Sequence, residues 1–158
     1  MNNALVQRKM ALNRVNLPVS YLTEEDVRQL VGACKKERDK LLITLLFQTG
    51  VRISEALALT PAAIRNFEGK PAMEIIGKGK KLRMVALPVN LRMKLESYAY
   101  RAKIEPRMRF FEVNRSRAWQ ILNEAREAAG MQKRVFPHLL RHSDAIIRLR
   151  KTGNPKAL

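Results

Sequence analysis

One stretch limits what this chain can become: MEIIGKGKKLRMVALP, residues 73–88. Its two β-rich runs, 73–76 and 82–87, flank a turn of glycines and lysines, the pattern of an antiparallel hairpin. Almost everything around it is patterned as helix instead. The sequence therefore predicts an α+β domain, mainly helical, with one small antiparallel sheet at its edge.

The helices can be placed from their end signals. Thr23, followed three residues later by Asp26, resembles a capping box, although the usual motif has Glu or Gln at the second position. Val27, Leu30 and Val31 give that first helix its apolar face. A second helix is expected from Asp39 to Gln48, with leucines facing inward and Gly50 as its stop. Ser54 to Leu59 reads as a short third helix, and a weaker strand is expected at 64–67. Beyond the hairpin, helices are expected at about 89–102 and 115–129, the latter closed by Gly130. A last one runs from His138 to about Lys151, before Gly153.

The two ends of the sequence differ from this body. Residues 1–20 carry Arg8, Lys9 and Arg14 with no acid and end near Pro18, which reads as a basic linker or arm. Residues 21–158 form the folded unit. Asn154 is a favourable N-cap and Pro155 a favourable first helical residue, so a further helix is announced where the sequence stops. A single helical turn is costly to nucleate, and the expectation is a domain incomplete at its C-terminus.

Charge narrows the partner. Lys and Arg number 31 against 14 Asp and Glu, a formal net charge of +17. So large an excess attracts polyanions, and neutralising phosphates releases counterions that drive binding. Nucleic acid is the first partner to consider, with a basic but merely solvated surface as the plain alternative. Cys34 is the only cysteine, which excludes an internal disulfide and a thiolate metal cluster. With histidines only at 138 and 142, a zinc site is not expected. The start, MNNALVQRKM, lacks the apolar core of a signal peptide, and LLITLLF at 41–47 is too short to span a bilayer. These features point to a reducing cytoplasm and to no membrane association.

Three basic clusters carry the candidate chemistry. In the first, TGVRISE at 49–55, Arg52 has Glu55 three residues on. Local sequence favours a plain Arg–Glu surface pair, which contributes little. The functional reading is a guanidinium steadied by a carboxylate and matched to two phosphate oxygens. In the second, Gly77-Lys78-Gly79-Lys80-Lys81, lysines either keep a hairpin tip solvated or reach a phosphate, and both readings stand equally. There a Lys with a lowered pKa is also able to give up a proton. In the third, PHLLRH at 137–142, His138 and Arg141 share a helix face near an N-terminus that favours phosphate. His suits proton transfer near neutral pH, while His142 points elsewhere and reads as structural.

Taken in order, TGVRISEALAL, IIGKGKKLRMVALP and PHLLRH resemble the tyrosine recombinase, or phage integrase, family. YLTEEDVRQLV and FFEVNRSRAWQILNEAREAAGM also look like that family's connecting helices, so the resemblance covers about residues 21 to 158. It implies the tyrosine recombinase catalytic-domain fold, double-stranded DNA as partner, and strand cleavage and rejoining through a 3′-phosphotyrosine link. It also implies that no cofactor, metal or ATP is needed. Carried over, Arg52 and Arg141 clamp the non-bridging oxygens of the scissile phosphate, and Lys78 protonates the departing 5′ oxygen. His138 assists proton transfer and Glu55 supports the first box. Lys80, Lys81 and Arg83 on the hairpin are expected to contact DNA. So are Arg107, Arg109, Arg115 and Arg117, with Lys103, for which a solvated face is an equal reading.

The resemblance stops short of the family's last two elements, a second His or Trp and the nucleophilic Tyr. Only 17 residues follow Arg141, and Tyr21, Tyr98 and Tyr100 all precede the third box. Trp119 also lies too early to fill the second-His position. The expectation is a chain that binds duplex DNA without cleaving it, monomeric alone, from a parent enzyme that is tetrameric on paired sites. The main rival is a non-catalytic double-stranded DNA-binding protein of the same fold, which does not require the candidate residues to converge. A type IB topoisomerase and an RNA-binding structural protein rank below both.

Overall fold

A computed structural model describes residues 21–153. The expected arm at 1–20 and the expected helix start at Asn154 and Pro155 lie outside the described residues. Six α-helices and three strands follow in the order α1 (Glu24–Ala33), α2 (Glu37–Thr49), α3 (Ile53–Ala58), β1 (Ile64–Phe67), β2 (Lys70–Ile76), β3 (Leu82–Ala86), α4 (Val89–Arg101), α5 (Arg115–Ala128) and α6 (Pro137–Thr152). The α+β expectation holds, and each expected element is present with its ends moved by a few residues.

The capping box on α1 is complete despite its Asp. The Thr23 hydroxyl accepts from the Asp26 N–H at 3.1 Å, and the Asp26 carboxylate accepts from the Thr23 N–H at 3.0 Å. Glu24, Glu25 and Asp26 in the first turn also favour the positive end of the helix dipole. Helix α2 begins two residues earlier than expected and is the central element. Leu41, Leu42, Ile43, Leu45 and Leu46 are all buried, covering more than one face, as befits a helix with neighbours on several sides. It packs against α1, α3, α4 and α6. Gly50 ends it with φ 67°, a left-handed cap that glycine adopts without a Cβ clash.

The sheet has the order β1-β2-β3, antiparallel throughout. Strand β2 starts three residues before the expected run because Lys70 pairs with Phe67 across a two-residue turn. Glu68 and Gly69 both have positive φ, 50° and 77°, the backbone that matches the twist of a tight hairpin. The next hairpin closes through Gly77 N–H to the Lys81 carbonyl at 2.9 Å, with Gly79 and Lys80 at φ 76° and 58°. Met73 and Ile75 bury one side of β2 in the core, leaving the Lys78 turn projecting from the edge.

Helix α6 is tied back to the start of the described chain. The buried Ser143 hydroxyl accepts from the Leu22 N–H and donates to the Leu139 carbonyl, each at 2.7 Å. The Leu22 bond therefore holds the start of α6 against the chain entering α1, which matters for the residues it carries.

Candidate functional site

Gly50 brings the first and third boxes together. A Cβ built there would lie 3.2 Å from an Asp144 carboxylate oxygen and 3.9 Å from Arg141 Cγ. Helix α6 thus passes directly over the turn that ends α2, and Arg52, two residues beyond Gly50, starts α3 beside it. Arg141 and His138 sit one turn apart on the first part of α6, facing the same way. The result is a cleft of about 400 Å³ lined by Arg52, Ser54, Arg115, Trp119, His138 and Arg141, with Val51, Ile53 and Pro137 as its apolar walls.

Lys78 stands at a second cleft of about 510 Å³, whose lining includes Arg52, Ser54, Glu55 and Gly77. The two clefts share Arg52 and Ser54. Three of the four expected catalytic groups therefore surround one space, and the fourth lies on the hairpin turn at the adjoining one. Among the described residues, the side chains of Arg52, Lys78, His138 and Arg141 make no hydrogen bond or ion pair. Arginine and lysine side chains that reach a cleft without a direct ion pair suit an external anion, because no salt bridge has to be broken first.

Glu55 contacts the Arg52 box through the backbone and binds a second arginine as well. It is 5% exposed and accepts from the Arg52 backbone N–H at 2.8 Å, while the Arg52 guanidinium acts on it only through its charge, without a direct ion pair. Its carboxylate takes both forks of Arg83 instead, at 2.5 and 2.9 Å. The Arg83 hydrogen bond holds the Glu55 carboxyl below the usual glutamate range despite its burial, and the Arg52 N–H acts in the same direction. Gly77 makes room for this pair, since a Cβ there would come within 2.9 Å of the Arg83 guanidinium. Arg83, expected among the DNA contacts, thus ties β3 to the first turn of α3. The carboxylate joins the Arg52 box to the Lys78 hairpin across 28 residues of sequence.

The remaining expected DNA contacts divide. Lys80 and Lys81 are exposed on the hairpin turn without an ion pair among the described residues. Arg115 lines the cleft, whereas Arg117 turns to Glu124 at 2.9 Å and Gln120 at 3.2 Å on its own helix. Arg107 and Arg109 are exposed in the segment between α4 and α5, beside the Thr60–Ala63 turn, and line neither cleft; nor does Lys103. His142 is exposed and lines neither cleft. Tyr21 accepts a hydrogen bond from Arg150, Tyr98 is half-buried and Tyr100 is exposed; none of them reaches either cleft. Sequence reasoning passed over Trp119, which lines the cleft beside Arg115. The available signal was their spacing of four, which places both on one helix face.

Among the described residues, no group of three or more His, Cys, Asp or Glu is arranged to hold a metal ion. No described helix is long and apolar enough to cross a membrane.

Comparison with known proteins bears on the same span. The model of the phage integrase family matches residues 20–158. The chain is 37% identical over 139 residues to the tyrosine recombinase XerA of Pyrococcus furiosus, covering 82% of this chain and 47% of that protein. It is 36% identical over 146 residues to a tyrosine recombinase of Thermosipho africanus, covering 87% and 50%. Against XerD of Corynebacterium glutamicum it is 31% identical over 147 residues, covering 86% and 46%. Among solved structures, a XerA recombinase superposes with a TM-score of 0.71 at 26% identity, covering 87% of this chain and 53% of that one. The XerH recombinase bound to its difH substrate before cleavage gives 0.72 at 22% identity, covering 85% and 44%. The chain spans about half the length of the curated relatives it matches.

Proposed function

The chain belongs to the phage integrase family and has the tyrosine recombinase catalytic-domain fold, and on that premise we propose that its cleft holds one backbone phosphate of duplex DNA for strand cleavage and rejoining. The observation that carries the reading is the convergence of Arg52, His138 and Arg141 on one space, with Lys78 at its edge. A solved XerH relative is described in complex with its DNA substrate, which supports DNA as the partner.

The chemistry follows from charge. A tyrosyl oxygen attacks phosphorus, the bond from phosphorus to the 5′ oxygen breaks, and negative charge gathers on the non-bridging oxygens. The Arg52 and Arg141 guanidinium forks stabilise that charge without rearranging, which is where prepositioned donors contribute most. Lys78 gives its proton to the departing 5′ oxygen, and His138 moves the proton of the attacking hydroxyl. The covalent phosphotyrosine conserves the bond for rejoining, so no nucleotide cofactor is required. The nucleophile's place in the family pattern is after the third box, where none of Tyr21, Tyr98 or Tyr100 falls. The 158-residue chain is therefore expected to bind duplex without forming a covalent adduct. A nicked suicide substrate run on a denaturing gel checks this: an adduct that survives denaturation contradicts it.

On this reading the described residues 21–153 belong to the catalytic domain. The chain acts in the cytoplasm as a monomer, and the parent enzyme assembles as a tetramer on paired sites. The rival reading, a non-catalytic DNA binder, needs charge but no fork geometry. Arg52→Lys separates the two. A diffuse basic face tolerates the change, whereas a bidentate clamp loses on the order of tenfold in affinity. Arg52→Ala and Arg141→Ala should each also lower the slope of log affinity against log salt by about one.

A further inference from the structure

Trp119 occupies a position that packing alone does not account for. Helix α5 buries Ala118, Ile121, Leu122 and Ala125, while Trp119 at its margin remains 42% exposed. Exposing so large an apolar ring forfeits burial that a core position would provide. The ring is nonetheless fixed. One face stacks on Phe136, with centroids 5.8 Å apart and planes 12° apart. Phe136 caps α6, two residues before His138. Trp119 is thus held against the same helix start that presents His138 and Arg141, and it borders their cleft. Among the described residues its indole N–H has no hydrogen-bond partner.

The cleft consequently has two kinds of wall. Its lining includes the cationic Arg52, Arg115 and Arg141 and the apolar Trp119, Ile53 and Pro137. A free inorganic anion has use only for the first. A nucleotide presents both, since the anionic phosphate is joined to a sugar whose C–H faces are apolar. In duplex DNA the bases stay stacked on each other, so an aromatic ring at the level of the backbone meets deoxyribose. Arg115, one turn before Trp119 on the same face, adds a further cation to the same cleft.

We propose that Trp119 is a binding residue of this cleft, packing its open face on the deoxyribose beside the phosphate held by Arg52 and Arg141. The proposal rests on the DNA reading of the cleft. It makes Trp119 a determinant of where the backbone sits, separate from the groups that carry charge.

Trp119 is the only tryptophan in the sequence, so its emission reports on this wall alone. The test titrates the full 158-residue chain with a dye-labelled linear duplex, following dye anisotropy for binding and tryptophan emission and acrylamide quenching for contact. Emission should change, and acrylamide access should fall, over the same concentration range as binding. Trp119→Ala should weaken binding on the order of tenfold while leaving the salt slope unchanged, because no ionic contact is lost. Trp119→Phe, which keeps an aromatic face and the stack on Phe136, should recover most of that affinity and guards against a folding defect in the alanine variant. If the duplex binds in an Arg52-dependent way with emission and quenching unaltered, the proposal is overturned and the reading of the cleft survives. If binding is absent or indifferent to Arg52→Ala, the reading fails and the proposal falls with it.

Discussion

Arg52 and Arg83 lie on either side of one carboxylate and are used in opposite ways. Arg83 gives both forks of its guanidinium to the buried Glu55, at 2.5 and 2.9 Å, and is thereby satisfied within the protein. Arg52 gives Glu55 only its backbone N–H, at 2.8 Å, and keeps its side chain free at the cleft. The difference teaches what each cation is for. A guanidinium already neutralised by a desolvated carboxylate has little to offer a phosphate, while one anchored through its backbone is oriented and keeps its forks free of a direct ion pair. The same division runs over the surface. Arg28, Arg92, Arg101 and Arg117 pair with Glu25, Glu96, Glu37 and Glu124, whereas Arg115, Arg141 and the hairpin lysines have no such partner among the described residues.

The comparison can be broken most forcefully at the carboxylate. Glu55→Ala removes both Arg83 hydrogen bonds and the acceptor for Arg52 N–H, and should cost about 3 kcal/mol of stability in urea unfolding. The partial exposure of Arg83 keeps this at the low end of the cost of breaking a buried pair. Acid should reach the same pair more gently. Because Arg83 lowers the folded-state pKa of Glu55, the stabilisation is present above the ordinary glutamate range and is lost as pH falls through the depressed value. Unfolding midpoints measured from neutral pH downward should therefore drop for the parent chain and drop less for Glu55→Gln.

Smaller effects sharpen the contrast. Gly77→Ala sets a methyl within 2.9 Å of the Arg83 guanidinium, which can yield because it is the end of a flexible side chain. About 1 kcal/mol is expected, with the pair loosened but present, measurable as a shift in the urea midpoint. Arg52→Ala should change stability least, within about 0.5 kcal/mol, since its side chain is exposed and unpaired. Its effect belongs in DNA affinity. A large loss of stability in Arg52→Ala, or none in Glu55→Ala, would reverse the roles assigned to the two arginines.

Much of this was legible in the residues themselves. The cap on α1, the stop at Gly50, the hairpin around Lys78 and the shared face of His138 and Arg141 all depend on neighbours a few positions apart. Such signals survive in sequence because helix and strand periodicity and turn chemistry are local. The order of the three boxes also identified the groups that meet at the cleft. Where reading ran short, the cause was distance along the chain. Glu55 and Arg52 are three apart and looked like a pair, but the partner that wins is Arg83, brought in by the register of β2 and β3.

Sequence alone thus determined the elements and their order, the excess of positive charge and the identity of the cationic groups. Tertiary structure decided which cations are neutralised inside and which remain open. It did so through the close pass of α6 over Gly50, the room left at Gly77 and the stack of Trp119 on Phe136. A guanidinium's availability depends on whether a carboxylate or a ring lies within a few ångströms. That is set by packing between segments distant in the chain, and no local pattern of residues encodes it.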